Sequence, residues 1–194
     1  KYFLKFVGGR GLIAKVVWDD IPVGTKPFDP ENRLVFAPGL FTGTNAPTSG
    51  RWRIGGLAPQ HPKEYPSHSG IGGHWGAELK FAGYDGVIIH GKASQRRHIL
   101  IKDGEVEFIS ADHLWGMDTF EVQKRIKEEL ANERMVSNTE ELRQAGRYDP
   151  LLIRSVVIGR AGENKSRIAT IQHDSGDAAG QGGFGGVMGS KNLK

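Results

Sequence analysis

Apolar positions along the chain fall into a few stretches whose spacing predicts distinct elements. Leu12, Ile13, Val16 and Val17 form a helical stripe over Leu12 to Asp19, and Pro22 ends it. Arg33-Leu34-Val35-Phe36-Ala37 is a continuous apolar run, which predicts a strand buried on both faces. Arg51-Trp52-Arg53-Ile54 alternates instead, with the arginines on one side and Trp52 and Ile54 on the other. A polar loop over Gln60 to Pro66 follows, and Gly86 to Gly91 encloses another strand. Arg97 to Lys102 and Glu105 to Ile109, joined by Asp103-Gly104, read as a hairpin. Asp118 is placed to cap a helix from Thr119 to about Leu130, whose apolar face is expected to be Phe120, Val122, Ile126 and Leu130. The polar run Asn132 to Arg147 reads as a surface insertion, helical over Thr139 to Gln144. Leu152 to Ile158 is expected as a second buried strand, and Ser166 to Ile171 as a further one.

Two glycine-rich turns interrupt this pattern. The first is Gly70-Ile71-Gly72-Gly73-His74-Trp75-Gly76, leading into a short helix from Ala77 to Ala82 closed by Gly83. The second is Gly180-Gln181-Gly182-Gly183-Phe184-Gly185-Gly186, leading into another from Val187 to Lys191. Both follow G-x-G-G-x-x-G. Such turns let a ligand approach the backbone and let successive N–H groups point one way, with the positive end of a helix behind them, which is how proteins grip phosphate. Tight packing of helix on strand is the alternative use of the same glycines. Helix, apolar strand, turn, second strand, glycine loop and short helix occur in the same order twice. The expected fold is therefore α+β: a duplicated β-rich domain over 1–194, with two similar halves of mixed sheet, roughly 1–95 and 96–194, and few short helices. A dinucleotide-binding unit would need longer helices after its glycines.

Composition narrows the function. With 25% charged and 38% hydrophobic residues the chain has an ordinary globular make-up, while 28 glycines exceed the usual share. Cysteine is absent, so this chain alone builds no disulfide, iron–sulfur cluster or thiolate metal site. No apolar run is long enough to span a bilayer, and Lys1 to Phe6 is too short for a signal peptide, so a cytoplasmic location without a membrane partner is expected. The net charge of +4 is spread along the chain and suits a small polyanion better than nucleic acid. None of the seven histidines sits at helical ligand spacing. His68 and His74 flank the first glycine turn; Trp75 has two readings, stacking on a ligand ring or filling core. Glu163-Asn164 reads as a structural turn, and no nucleophile stands with a base at a usable spacing, so no catalytic residue is expected.

Several longer strings carry a family resemblance: Pro47-Thr48-Ser49-Gly50-Arg51, Gly76-Ala77-Glu78-Leu79-Lys80-Phe81-Ala82-Gly83-Tyr84-Asp85-Gly86, His113-Leu114-Trp115-Gly116, Ala161-Gly162-Glu163-Asn164 and Gly186-Val187-Met188-Gly189-Ser190-Lys191. On these the chain resembles the N-terminal domain of the tungsten-containing aldehyde ferredoxin oxidoreductases over nearly its whole length. The resemblance implies a domain on which a tungsten (or molybdenum) bis-pterin cofactor lies, one pterin per half, with magnesium bridging the two phosphates. Arg51 matches the phosphate-contacting position, and Gly70, Gly72 and Gly73, with His74 and Trp75 beside them, match the first pterin turn. Asp177, Ala178, Ala179, Gly180 and Gly182 match the second, and the backbone carbonyls of Gly70 and Ala178 are the implied magnesium ligands. Two departures stand out: Asp177 occupies a place where the family usually has arginine, and so does Gln181, which leaves Arg53, Lys191 or Lys194 to supply the missing charge. The implied activity is oxidation of aldehydes to carboxylic acids, with electrons leaving through a 4Fe-4S cluster in further domains to ferredoxin or an electron-transfer subunit. Such domains lie outside this chain, which alone is expected to be inactive; a homodimer of the full-length protein is a further expectation. The alternatives are an aryl-CoA or carbonyl reductase of the same family, and a binding or assembly module that has lost the cofactor.

Overall fold

The computed structural model describes residues 3–133, 153–174 and 176–194. After a single helical turn, α1 (Phe3–Phe6), comes α2 (Gly9–Asp20), whose Leu12, Ile13, Val16 and Val17 are buried as their spacing requires. They pack on Val35, Ala37 and Leu57 of the first sheet. Its strands β1 (Leu34–Ala37), β2 (Trp52–Leu57), β3 (Pro66–Ile71) and β4 (Val87–Ile89) lie in the order β3-β2-β1-β4, all antiparallel. β1 is buried at all four positions, because α2 covers one face and the main core the other. The helix α3 (Trp75–Phe81) connects β3 to β4.

The hairpin β5 (Arg97–Lys102) and β6 (Glu105–Ser110) turns at Asp103-Gly104, both at positive φ as a tight two-residue turn demands. In α4 (Thr119–Glu133) the Asp118 carboxylate accepts the N–H groups of Phe120 and Glu121 at 2.9 Å, and Glu121 returns a bond to the Asp118 N–H. A third, three-stranded antiparallel sheet runs β7 (Val156–Val157), β8 (Ile171–His173), β9 (Asp177–Ala179), with α5 (Arg160–Glu163) between its first two strands and α6 (Phe184–Ser190) after it. One core draws on both ends of the chain: Leu34, Phe36, Trp52, Ile54 and Ile71 meet Ile158, Ile171, Phe184, Val187 and Met188.

Six expectations need correction. The sheets are not mixed: the named strands pair antiparallel, and a parallel contact among the described residues is confined to the bridge Arg97–Leu193. Gly70 and Ile71 are not turn residues but the end of β3, a polar strand whose six residues all pair with β2. The expected strand over Leu152 to Ile158 shrinks to Val156–Val157, with Leu152 outside the described residues. Ser166 to Thr170 is turn and irregular chain with Ile168 68% exposed, so that strand begins only at Ile171. Phe120 is 57% exposed, since it sits two residues from Val122 and so on the far side of the helix from Val122, Ile126 and Leu130. The second glycine helix also starts at Phe184, three residues before Val187. The helix expected over Thr139 to Gln144 lies outside the described residues.

Candidate functional site

The first glycine turn is built across the two ends of the chain. Gly73 has φ 73°, which swings the backbone from β3 into α3. A Cβ there would overlap the His173 ring, and one at Gly72 would overlap the Asp177 carboxylate. His173 is fully buried on β8. Its Nε2 accepts the N–H groups of His74 at 3.1 Å and Trp75 at 3.3 Å, while Nδ1 donates to the Ser155 carbonyl at 2.8 Å. These partners assign the neutral tautomer with its proton on Nδ1. The Asp174 carboxylate lies 3.1 Å from the same Nε2, but two amide donors already occupy that lone pair, and Asp174 is balanced by Arg154 at 3.6 Å and Lys127 at 3.9 Å. Amides expected to face a ligand are thus capped from within the protein. Trp52 Nε1 donates to the Gly72 carbonyl at 3.0 Å.

The second turn is capped in return. Gln181 donates its N–H to Ser69 Oγ at 3.2 Å and Gly182 to Gln60 Oε1 at 2.5 Å. Gly183, with φ 72°, stands at the start of α6, and a Cβ on it would overlap the Arg167 carbonyl. Gly185 and Gly189 meet the carbonyls of Thr170 and Gly162 in the same way. All seven residues of α6 are buried. Ala179 is buried too, whereas Ala178 and Gly180 are exposed on the β9 side and Asp177 is half-buried.

A basic group surrounds Gly70. A Cβ built there would lie 2.6 Å from Arg53 Nη1 and 3.3 Å from Arg51 Nη2, so both guanidinium groups converge over this glycine. His68 stands two residues earlier on β3. Burial, then the charges of Arg53 and Arg10, hold its imidazole below the ordinary histidine value. The other candidate cations are elsewhere. Lys191, buried, donates to the carbonyls of Pro30 at 3.1 Å, Asn32 at 2.7 Å and Gly91 at 3.0 Å. Desolvation lowers it to about 8, helped by Arg33 and opposed by Glu31. Lys194 pairs with Glu163 and the Met117 carbonyl beside the Trp115 ring. Neither lysine replaces an arginine at the second turn. The His74 side chain is exposed, and the Trp75 ring packs 4.7 Å from Trp52 and 5.5 Å from Phe36.

A cavity of about 400 Å³ lies between α3, the β5 strand and α4, with Trp75 of the first turn, Ile99, Ile101 and Leu130 in its wall. Among the described residues no three His, Asp or Glu side chains cluster in a way that could hold a metal ion. No helix of the described residues is long and apolar enough to cross a membrane. Sequence reasoning missed His173, Ser69 and Gln60. The alternation Ile171-Gln172-His173 was the available signal for His173, because it puts the imidazole on the same strand face as a core isoleucine. Nothing local marked the others.

The family model described as aldehyde ferredoxin oxidoreductase, N-terminal domain, matches residues 1–194. A tungsten-containing aldehyde ferredoxin oxidoreductase from Pyrococcus furiosus is 38% identical over 190 residues, covering 98% of this chain and 28% of that protein. An aliphatic sulfonate oxidoreductase, WOR-like subunit, from the same organism is 36% identical over 198 residues, 98% of this chain and 29% of that protein. Among solved structures, the active-site complex of benzoyl coenzyme A reductase with 1,5-dienoyl-CoA superposes with a TM-score of 0.83 at 36% identity, over 100% of this chain and 26% of that one. The chain therefore spans between a quarter and a third of the length of these relatives.

Proposed function

Because the chain belongs to the aldehyde ferredoxin oxidoreductase N-terminal domain family, we propose that it is the cofactor-cradling domain of a longer oxidoreductase. In this reading it holds a tungsten (or molybdenum) bis-pterin, which when bound supplies the redox and oxygen-transfer chemistry that oxidises an aldehyde to a carboxylic acid. Electrons then pass to ferredoxin or an electron-transfer subunit through an iron–sulfur cluster in other domains. The observation that carries the reading is the convergence of the Arg51 and Arg53 guanidinium groups over Gly70, a shape and charge that fit a phosphoryl group. Exposed Ala178 and Gly180, the latter with nothing within 4 Å of where a Cβ would stand, leave room for the second pterin edge, and the carbonyls of Gly70 and Ala178 would hold the magnesium in this scheme. The β1-β2-β3 part of the first, four-stranded sheet and the β7-β8-β9 sheet, which has α5 inserted after its first strand, each lead into a glycine turn and a short helix, and this partial match supports an ancestral duplication.

Metal and pterin analysis of the full-length protein from anaerobic cells supplied with tungstate tests the proposal. Stoichiometric tungsten or molybdenum with pterin is the expected result, and a folded protein free of both overturns it. A second reading, reduction of an aryl-CoA thioester substrate within the same family, is favoured by the similarity to benzoyl coenzyme A reductase along the entire chain. Comparing turnover of aldehydes with that of aryl-CoA compounds by the loaded enzyme separates the two.

A further inference from the structure

We propose that the polypeptide following Lys194, in the longer oxidoreductase inferred above, forms a further strand parallel to β5 that fills the apolar cavity beside it and joins two of the sheets. This rests on that reading only in needing a continuing chain; a bound cofactor does not enter it. The ladder has already begun. Leu193 forms a parallel bridge with Arg97, whose N–H donates to the Asn192 carbonyl at 2.9 Å and whose carbonyl accepts the Lys194 N–H at 2.9 Å. Arg97 thus turns its backbone groups away from β6. Alternation along the strand turns those of Ile99 and Ile101 the same way, while His98, Leu100 and Lys102 face β6. Neither Ile99 nor Ile101 has a backbone partner for these outward groups among the described residues. Chain continuing from Lys194 in the same register would meet them in turn over about four residues.

The cavity has the form of the space a strand takes. Successive residues of β5, His98 to Lys102, border it, so it runs along the edge of that strand and not across one face. Ile153 to Val156 border it as well and lead into β7, an outer strand of its own sheet. A strand laid between β5 and β7 would unite the two-stranded and three-stranded sheets and leave neither of these edges bare. Leu79 of α3 and Ile126 of α4 add apolar wall, so the entering segment is one of apolar side chains. Ser155 Oγ and Arg154 Nε are buried without a hydrogen-bond partner, and both residues border the cavity, where a neighbouring backbone would supply one. A small apolar ligand would suit the wall but would leave the open register of β5 unanswered. Trp75 lies in the same wall, and Ser155 gives its carbonyl to His173, the residue that caps the Trp75 N–H. The added strand therefore braces the first glycine turn through both.

Hydrogen exchange of the full-length protein, resolved to single amides, tests the strand without any substitution. Ile99 and Ile101 are expected to exchange at least about a hundredfold more slowly than unstructured amides; exchange near the unprotected rate at both overturns the proposal. Replacing Ile101 by a photoreactive diazirine analogue of leucine identifies the occupant. Crosslinks to the first few residues after Lys194 are expected, and crosslinks that miss that segment overturn the proposal. If the enzyme carries tungsten and pterin while Ile99 and Ile101 exchange freely, the strand fails and the proposed function stands. If both amides are protected and position 101 crosslinks to that segment in a protein free of metal and pterin, the function fails and the strand stands.

Discussion

The two glycine turns share one spacing and use it differently. At the first, the missing side chains make room for polar groups: Arg53 and Arg51 above Gly70, Asp177 beside Gly72, His173 beside Gly73. At the second they let backbone meet backbone, with Gly183, Gly185 and Gly189 set against the carbonyls of Arg167, Thr170 and Gly162. The first turn borders solvent and charge, while the helix after the second is buried throughout. A glycine pattern alone therefore states that something comes close. Whether that neighbour is a mobile charged group or a fixed carbonyl decides if the place can serve a ligand.

Substitutions can break or sharpen this contrast. The largest effect is expected for Gly183→Ala, which combines positive φ with overlap on a carbonyl that cannot move; a loss above about 4 kcal/mol in denaturant unfolding of the full-length protein is expected. A well-folded Gly183→Ala protein would remove the packing role assigned to the second turn. Next, His173→Leu should cost about 2–3 kcal/mol by leaving two amides and a carbonyl unpaired. Hydrogen exchange should then speed at His74 and Trp75 first; unchanged protection there would show that the imidazole is not their cap.

Lys191, at the far end of the second turn's helix, gives a pH signature. An exposed lysine in the unfolded chain stays protonated to about pH 10.4, whereas Lys191 in the folded protein loses its proton near 8. Below pH 8 the folded state bears the burden of a buried ammonium, and stability should rise as pH climbs from 8 towards 10. Three carbonyls holding the ammonium limit that rise to about 1–2 kcal/mol. Lys191→Met should abolish the slope, as seen in unfolding free energies measured at both ends of the window. The smallest stability effect, under about 1 kcal/mol, is expected for Gly70→Ala, because Arg53 can swing aside. The same change should still lower the pterin content of the full-length protein by displacing the guanidinium; unchanged content would show that the space over Gly70 does not serve the cofactor.

Elements whose order is set locally were legible. The stripe of α2, the hairpin around Asp103-Gly104 and the Asp118 cap each lie within one short window of sequence, and each has the chemistry its element needs. β3 was not, because Pro66-Ser67-His68-Ser69-Gly70 lacks any strand character of its own and is held by its partner β2. The strand expected from Ser166 failed for the opposite reason: its alternation is present, yet the chain turns there and exposes Ile168. At the site, Arg51 and the first glycines could be read from the family resemblance, and Arg53 from strand alternation. The approach of both guanidinium groups to Gly70 could not, since it depends on the pairing of β2 with β3. The lysines near the end of the chain were read as free charge, but Lys191 and Lys194 are interior cations held by carbonyls and Glu163.

His173 reaches back 99 positions to His74, and Gln60 reaches forward 122 to Gly182. Neither bend can close its hydrogen bonds until the opposite end of the polypeptide has arrived. Both should consequently form late in folding and open together, so that loosening one end would be felt at the other as a single cooperative event.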